Sequence, residues 1–409
     1  MLKGLLILVL SFFYFYNTKF TFLPIYTYQI VICLSLLYLF LNKNSFYFEK
    51  KINLFLLGYS AVFLYLLFNF SIYGFEDIIL IKKWIIFLIK SYIGIYLLSL
   101  ILKDNNYSFT SMIKLLQFII FIHACLMLLY FFNIDFKEWT LQYIPQSGGN
   151  IDHAKSFRSR GIVSSSGATL ALLQSFGLLF TTYLITTDRL NLKKVLYYGL
   201  SFITIIGSII VSGRTGLVMF PMLFLYTFLL YIKDKESSKI LIKSIIILSL
   251  MVVSLLMFYI YKMDVFSNDN MMFLKNWFSN EVKIIDGKIE VYTLNVLAKQ
   301  WLFPQDLFSF IFGDTATWNV ARIKTDIGYL RVLNALGIVG CIILYSFFLF
   351  IFVSMAKRLK DQRNKAMIIT LGVFLFIAEY KEPFFLKVMI SSLVMLLYFS
   401  SILLKEKSE

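Results

Sequence analysis

Apolar residues in this chain fall in long unbroken runs separated by short polar stretches, with no sustained alternation. A helix needs about 20 consecutive apolar residues to cross the hydrocarbon of a bilayer, whereas a membrane strand alternates over about 10. The runs therefore predict membrane-spanning helices over residues 4–16, 22–41, 53–71, 78–102, 111–132, 167–187, 195–211, 217–232, 244–261, 328–354, 367–380 and 384–404. The expected fold is all-α: a polytopic membrane helix bundle of about twelve spans forming a single transmembrane domain over residues 1–409. The first run follows Lys3 much as a signal peptide would, but Asn17, Thr18 and Lys19 supply no small-residue cleavage site, so it reads as an uncleaved span.

Two connections are much longer than the rest, residues 133–166 and 262–327, and long loops are where function concentrates. Within the second, residues 289–303 read as an amphipathic helix stopped by Pro304, and residues 307–312 as a second short helix ending at Gly313, both lying on the membrane surface. Residues 283–292 read alternatively as a hairpin, because Asp286-Gly287 suits a type I′ turn. The two halves of the chain show no repeat of sequence.

Composition agrees with lipid as the main solvent: 59% of the 409 residues are hydrophobic and 15% are charged. The formal charge of +16 reflects 39 Lys and Arg against 23 Asp and Glu. Short loops bearing Lys43, Lys50, Lys51, Lys103, Arg189, Lys193, Lys194, Lys233, Lys235, Lys357, Arg358 and Lys360 all fall on one side, with the tail residues Lys405 and Lys407. By the positive-inside bias that side is the cytoplasm, which puts both termini there and both long loops on the outer face of a bacterial inner membrane. The same bias explains the charge without nucleic acid, for which the chain has no basic soluble domain. Cys33, Cys125 and Cys341 lie inside apolar runs as small hydrophobes.

No Walker loop or dinucleotide fingerprint appears, which excludes primary transport by this chain alone. The two histidines, His123 and His153, and the lack of an Asp-x-Asp pair argue against a metal site. His123 falls mid-span, where a hydrogen-bonded core role is expected. What remains is a set of cations and carboxylates near the outer boundary. Arg158-Ser159-Arg160-Gly161, followed by Ser164, Ser165, Ser166 and Gly167 at a span start, suits an anion site, since guanidinium forks and free helix N–H groups both bind phosphate. Anchoring to anionic lipid headgroups explains it equally well. Arg214 in the Ser212-Gly213-Arg214-Thr215-Gly216 turn either joins that site or snorkels. Arg322 and Asp326 are spaced to pair on a helix. Arg331, about one turn inside an apolar run, is expected to face a cavity or an anion, because an unpaired charge there is costly. Lys90 shares a helix face with Lys83 and lies deeper, where it would line a wet cavity taking a charged lipid, while Lys82 and Lys83 snorkel. Glu379 and Glu382, flanking Lys381, are bases or members of a local ion pair.

Arg158-x-Arg160-Gly161, the 212–216 turn, the stretch from Trp301 to Gly313, and Asp326-x-Gly328-Tyr329 leading to Leu336-Gly337-Ile338-Val339-Gly340 together resemble the bacterial O-antigen polymerase (Wzy) and O-antigen ligase superfamily over residues 157–340. The chain departs from that pattern where many members carry a proline after Arg-Gly and a second glycine near Asp314. Ligases of the superfamily typically use a histidine in the second long loop, and residues 262–327 contain none, which favours polymerase over ligase. The resemblance implies a membrane glycosyltransferase that joins undecaprenyl-diphosphate-linked repeat units at the periplasmic face into O-antigen or capsule. It would need neither cofactor nor metal, and a chain-length regulator protein is a possible partner. Arg158, Arg160, Arg214, Arg322 and Arg331 would converge on donor diphosphate and acceptor glycan, and Asp326, Glu379, Glu382 or His153 would take the acceptor's proton. The rival reading is a lipid-linked oligosaccharide flippase, which usually shows repeated halves and short loops.

Overall fold

The computed structural model describes residues 2–42, 50–73, 78–145, 158–164, 167–233, 282–285, 288–291, 297, 299–304, 306–315 and 325–406. Among these, seven helices are long and apolar enough to cross a bilayer, so the chain is a multi-pass membrane protein. In chain order the helices are α1 (Leu2–Tyr16), α2 (Thr27–Leu41), α3 (Lys50–Tyr73), α4 (Ile79–Asp104), α5 (Phe109–Phe132), α6 (Ile134–Tyr143), α7 (Ala168–Thr187), α8 (Leu192–Ser212), α9 (Met219–Lys233), α10 (Leu307–Phe312), α11 (Gly328–Arg358), α12 (Gln362–Ala378) and α13 (Val388–Leu403). Each predicted span coincides with one of these to within a few residues except 244–261, which lies outside the described residues.

The second long loop corrects one expectation. Val282–Ile285 (β1) and Lys288–Val291 (β2) pair antiparallel, with Ile285 opposite Lys288, so residues 289–291 belong to a hairpin and not to a helix over 289–303. Asp286-Gly287, which separate the two strands in sequence, lie outside the described residues. Trp301 to Pro304 are likewise non-helical, while α10 occupies the predicted 307–312 and stops at Gly313, whose φ of 84° suits glycine.

The chain forms two compact units. The first comprises Met1–Thr27, Thr110–Asn295 and Asp361–Leu371. Its centre is α7, buried on every side from Leu170 to Thr186. Gly177 makes that packing possible: a Cβ there would lie 2.6 Å from Ile120 of α5 and 2.9 Å from Ile205 of α8. At one end of this unit Asp188 binds Lys114 at 2.7 Å and Lys194 at 3.3 Å and accepts a hydrogen bond from the Tyr198 hydroxyl.

The second unit comprises Tyr28–Phe109, Val296–Lys360 and Gly372–Glu409. Stacked rings of Tyr59, Trp84 and Phe87 join α3 to α4, with centroids 5.2 and 4.9 Å apart. Residues Phe87–Gly94 of α4 are π-helical, the widened form that recurs at functional positions. Within α11 the helix breaks at Gly337 (φ 63°, ψ −178°), and the end of α10 docks into the break. There the Tyr65 hydroxyl of α3 lies 2.6 Å from the Leu336 carbonyl and 3.1 Å from that of Phe312, Asn69 donates to Phe312, and the N–H groups of Asp314 and Thr315 reach the carbonyls of Asn334 and Ala335. The break thus leaves those carbonyls satisfied, as an apolar surrounding demands.

Candidate functional site

In the first unit the predicted arginine segment is a tight turn held from three sides. The Ser159 N–H donates to the Val211 carbonyl at 2.8 Å, the Ser159 hydroxyl to the Met127 carbonyl, and the Thr18 hydroxyl to the Ile162 carbonyl at 2.9 Å. Gly161 has φ 57°, and a side chain there would press on the His123 ring and on Met127. His123 itself is buried and stacked on Tyr16 at 3.7 Å, with Gln174 donating to its Nδ1 at 2.8 Å. That pattern assigns the hydrogen to Nε2 and makes His123 a neutral core residue beneath the turn, as expected.

The two arginines of the turn part company. Arg158 is exposed, with Nη1 3.4 Å from where a Cβ on Gly167 would stand. Gly167 precedes the first residue of α7 and gives that helix no side-chain cap, so Arg158 sits at a helix start, where the first N–H groups lack intrahelical partners. Arg160 is 2% exposed, and its Nη2 donates to the carbonyls of Thr140 (3.2 Å) and Ile144 (2.9 Å), which belong to the last turn of α6. Its Nε and Nη1 have no hydrogen-bond partner among the described residues. The cation therefore closes a helix C-terminus, where carbonyl groups lack intrahelical partners.

The 212–216 turn reaches the same helix start from the far end of α8. A Cβ on Gly213 would stand 3.4 Å from the Gly167 backbone, and one on Gly216 only 2.6 Å from the Ala171 carbonyl. Arg214 opens the 3-10 segment Arg214–Val218 at this point; its side chain lies outside the described residues. Two separate sequence motifs thus meet around the first turn of α7.

In the second unit the carboxylates and Arg331 gather where α11 begins. Arg331 binds the Asp326 carboxylate through Nη2 and the Thr325 carbonyl through Nε. The Asp326 carboxylate, five residues before it, thus supplies a charge partner for Arg331 within the chain. Arg331 is the described partner of Asp326; Arg322 and His153 lie outside the described residues. Gln300 completes the arrangement, accepting from the Asp326 N–H at 2.7 Å. A Cβ on Gly328 would overlap the Glu379 carbonyl, and the Gly328 N–H donates to Tyr380, so the start of α11 lies against the 379–382 turn.

The last helix before that turn, α12, ends at Ala378, so Glu379 stands beyond it, not inside the span predicted to reach 380. Its buried carboxylate accepts from the Tyr345 hydroxyl and the Phe385 N–H, each at 3.1 Å. Burial pushes the carboxyl up to about 8, against those two hydrogen bonds, which favour the charged form. Glu382 pairs with Lys387 at 3.2 Å. Lys90 is fully buried in the π-helical stretch with its ammonium 4.7 Å from the Tyr28 ring, and the neighbouring Ser91 hydroxyl meets those of Ser391 and Ser392. The seven-residue spacing to Lys83 assumed uniform α-helix, which the i→i+5 bonds of Phe87–Gly94 interrupt.

Sequence reasoning did not find α6, although Asn133 before it was a legible cap: its Oδ1 accepts from the Phe136 N–H at 2.8 Å. Among the described residues no group of three or more His, Cys, Asp or Glu is arranged to hold a metal ion. The chain matches no protein-family profile and no curated protein.

Proposed function

We propose that this chain is a bacterial inner-membrane glycosyltransferase of the O-antigen polymerase kind, joining undecaprenyl-diphosphate-linked repeat units at the periplasmic face with both termini in the cytoplasm. The observation that carries the reading is the exposed Arg158 guanidinium beside the uncapped start of α7, against which the turn bearing Arg214 also packs. A guanidinium fork next to free helix N–H groups is chemistry suited to a diphosphate. In the reaction the bond between the donor's anomeric carbon and the phosphate oxygen breaks, and a glycosidic bond to an acceptor hydroxyl forms. Undecaprenyl diphosphate leaves carrying negative charge, which preorganised cations stabilise. The acceptor's proton needs a carboxylate open to water. Among the described carboxylate candidates Asp326 is 51% exposed, Glu382 26% and Glu379 buried.

A deletion strain tests this directly. Loss of a polymerase leaves single repeat units on the surface lipid or on the carrier in the periplasm, read by mass spectrometry. Complementation with Arg158→Ala or Arg158→Lys restores little polymer, since lysine lacks the fork. A second reading, a flippase for the same lipid-linked oligosaccharide, draws on Lys90 in a π-helical stretch and on the broken helix at Gly337, features that transporters use. It requires that the deletion strain hold its repeat units on the cytoplasmic side.

A further inference from the structure

Helix α6 presents a face that the arginine chemistry leaves unused. Asp135, Glu138, Trp139 and Gln142 are its exposed polar and aromatic positions, and on a helical wheel they fall within an arc of about 100°. Trp139 is 43% exposed and its indole continues a row of rings, 5.8 Å from Phe136 and 5.7 Å from Tyr143. Two carboxylates and an amide thus share the exposed face with an indole on which Phe136 stacks, and Ile134, 64% exposed, borders that face.

The charge of this face argues against a lipid surface. Helices that lie in the membrane interface carry Lys and Arg on the polar side, because the headgroups they meet are anionic. Here that side carries Asp135 and Glu138, and the one cation of the helix, Lys137, is turned onto the Tyr130 ring at 5.9 Å. A pyranose ring fits instead: its C–H face lies flat on an indole, and its hydroxyls donate to carboxylates and exchange hydrogen bonds with an amide.

The helix is also fixed before any ligand arrives. Asn133 caps its start, Arg160 binds the carbonyls of Thr140 and Ile144, and the Thr21 N–H donates to the Tyr143 carbonyl at 2.8 Å. Holding the platform in place lowers the ordering cost of binding. Arg160 is two residues from Arg158, so the same turn carries the exposed guanidinium and the latch of the platform. We propose that the exposed face of α6 is a sugar-binding subsite in which a pyranose stacks on Trp139 and hydrogen-bonds Asp135, Glu138 and Gln142. This rests on the glycosyltransferase reading above.

The test uses the purified full chain in detergent and short oligosaccharides released from the native host's surface polysaccharide, with binding followed by saturation-transfer NMR. Trp139→Ala is expected to weaken binding about fivefold to tenfold, while Trp139→Phe keeps most of it. Monodispersity on gel filtration shows that each variant is folded. Unchanged affinity in Trp139→Ala overturns the proposal. So does quenching of a bimane label on Trp139→Cys by brominated lipids in phosphatidylethanolamine–phosphatidylglycerol vesicles, which would place the ring in the bilayer. If a deletion strain lacks polymer yet Trp139→Ala binds oligosaccharide as the parent does, the subsite alone fails; if the deletion leaves polymer intact, the enzyme reading fails first.

Discussion

Replacing Gly337 with alanine puts one methyl group where the structure has no room for it. Gly337 has φ 63° and ψ −178°, a region essentially reserved for glycine, so the backbone strain alone costs about 1–3 kcal/mol. The new Cβ would also overlap the Ile311 carbonyl and stand 2.5 Å from the Gly313 nitrogen. Both obstacles are main chain and cannot rotate away, so α10 has to retreat from the break. Losing two of the hydrogen bonds made there by Tyr65, Asp314 and Thr315 adds about 0.6–1.5 kcal/mol each. The total, about 2–6 kcal/mol, is expected to lower the apparent melting temperature by about 2–7 °C in a chain of this size. The assay is gel filtration of detergent-purified protein after heating, with Gly4→Ala as the matched control. Gly4 has nothing within 4 Å of a Cβ, and alanine is the better helix former, so that variant keeps or slightly raises the midpoint. If Gly337→Ala and Gly4→Ala melt together, the docked α10 is not how this protein is built.

Asp188 is pushed up by burial, but Lys114, Tyr198 and Lys194 outweigh that and leave its carboxyl below the usual range. A group depressed on folding stabilises above its unfolded value near 4 and loses that contribution as pH falls through its folded value. Asp188→Asn is therefore expected to melt lower than the parent at pH 7, by about 1 kcal/mol after screening of the half-exposed lysines, and to converge with it below about pH 4 in a pH series of melting curves. Tyr65→Phe keeps the ring against Gly340 but removes the hydroxyl from the Leu336 and Phe312 carbonyls. It should cost about 1–2 kcal/mol in the same heating assay, less than Gly337→Ala. Asn133→Ala removes the cap of α6 and should speed hydrogen exchange of the Phe136 amide, at a cost near 1 kcal/mol.

The membrane helices were legible because the bilayer imposes one length on every span and forbids loose backbone inside it. What hydropathy could not show are features made by local backbone geometry. The break in α11 leaves hydropathy untouched, since Leu336-Gly337-Ile338 is apolar whether or not it is helical. The π-helical stretch of α4 is similarly silent, yet it decides which way Lys90 faces. In the second long loop one turn signal proved stronger than a periodicity: Asp286-Gly287 predicted a hairpin, and the apolar positions after it suggested a helix that begins too early.

Arg158 and Arg160 show what residue type alone leaves open. Two guanidiniums flanking one serine read as a matched pair for a phosphate, and the same chemistry was assigned to both. In a turn that is not helical, side chains two residues apart need not share a surroundings, and here Ser159 is tied to Met127 and Val211 in between. One arginine is carried outward to the start of α7, and the other inward to the end of α6. Arg160 meets the helix end that suits a cation, a C-terminus with carbonyls to fill, whereas Arg158 stands beside an N-terminus, the end that suits an anion. A cation held beside an N-terminus gains nothing from the helix itself. Its place there makes electrostatic sense when a negatively charged ligand joins the two, which is why Arg158, and not its buried neighbour, bears the weight of the functional reading.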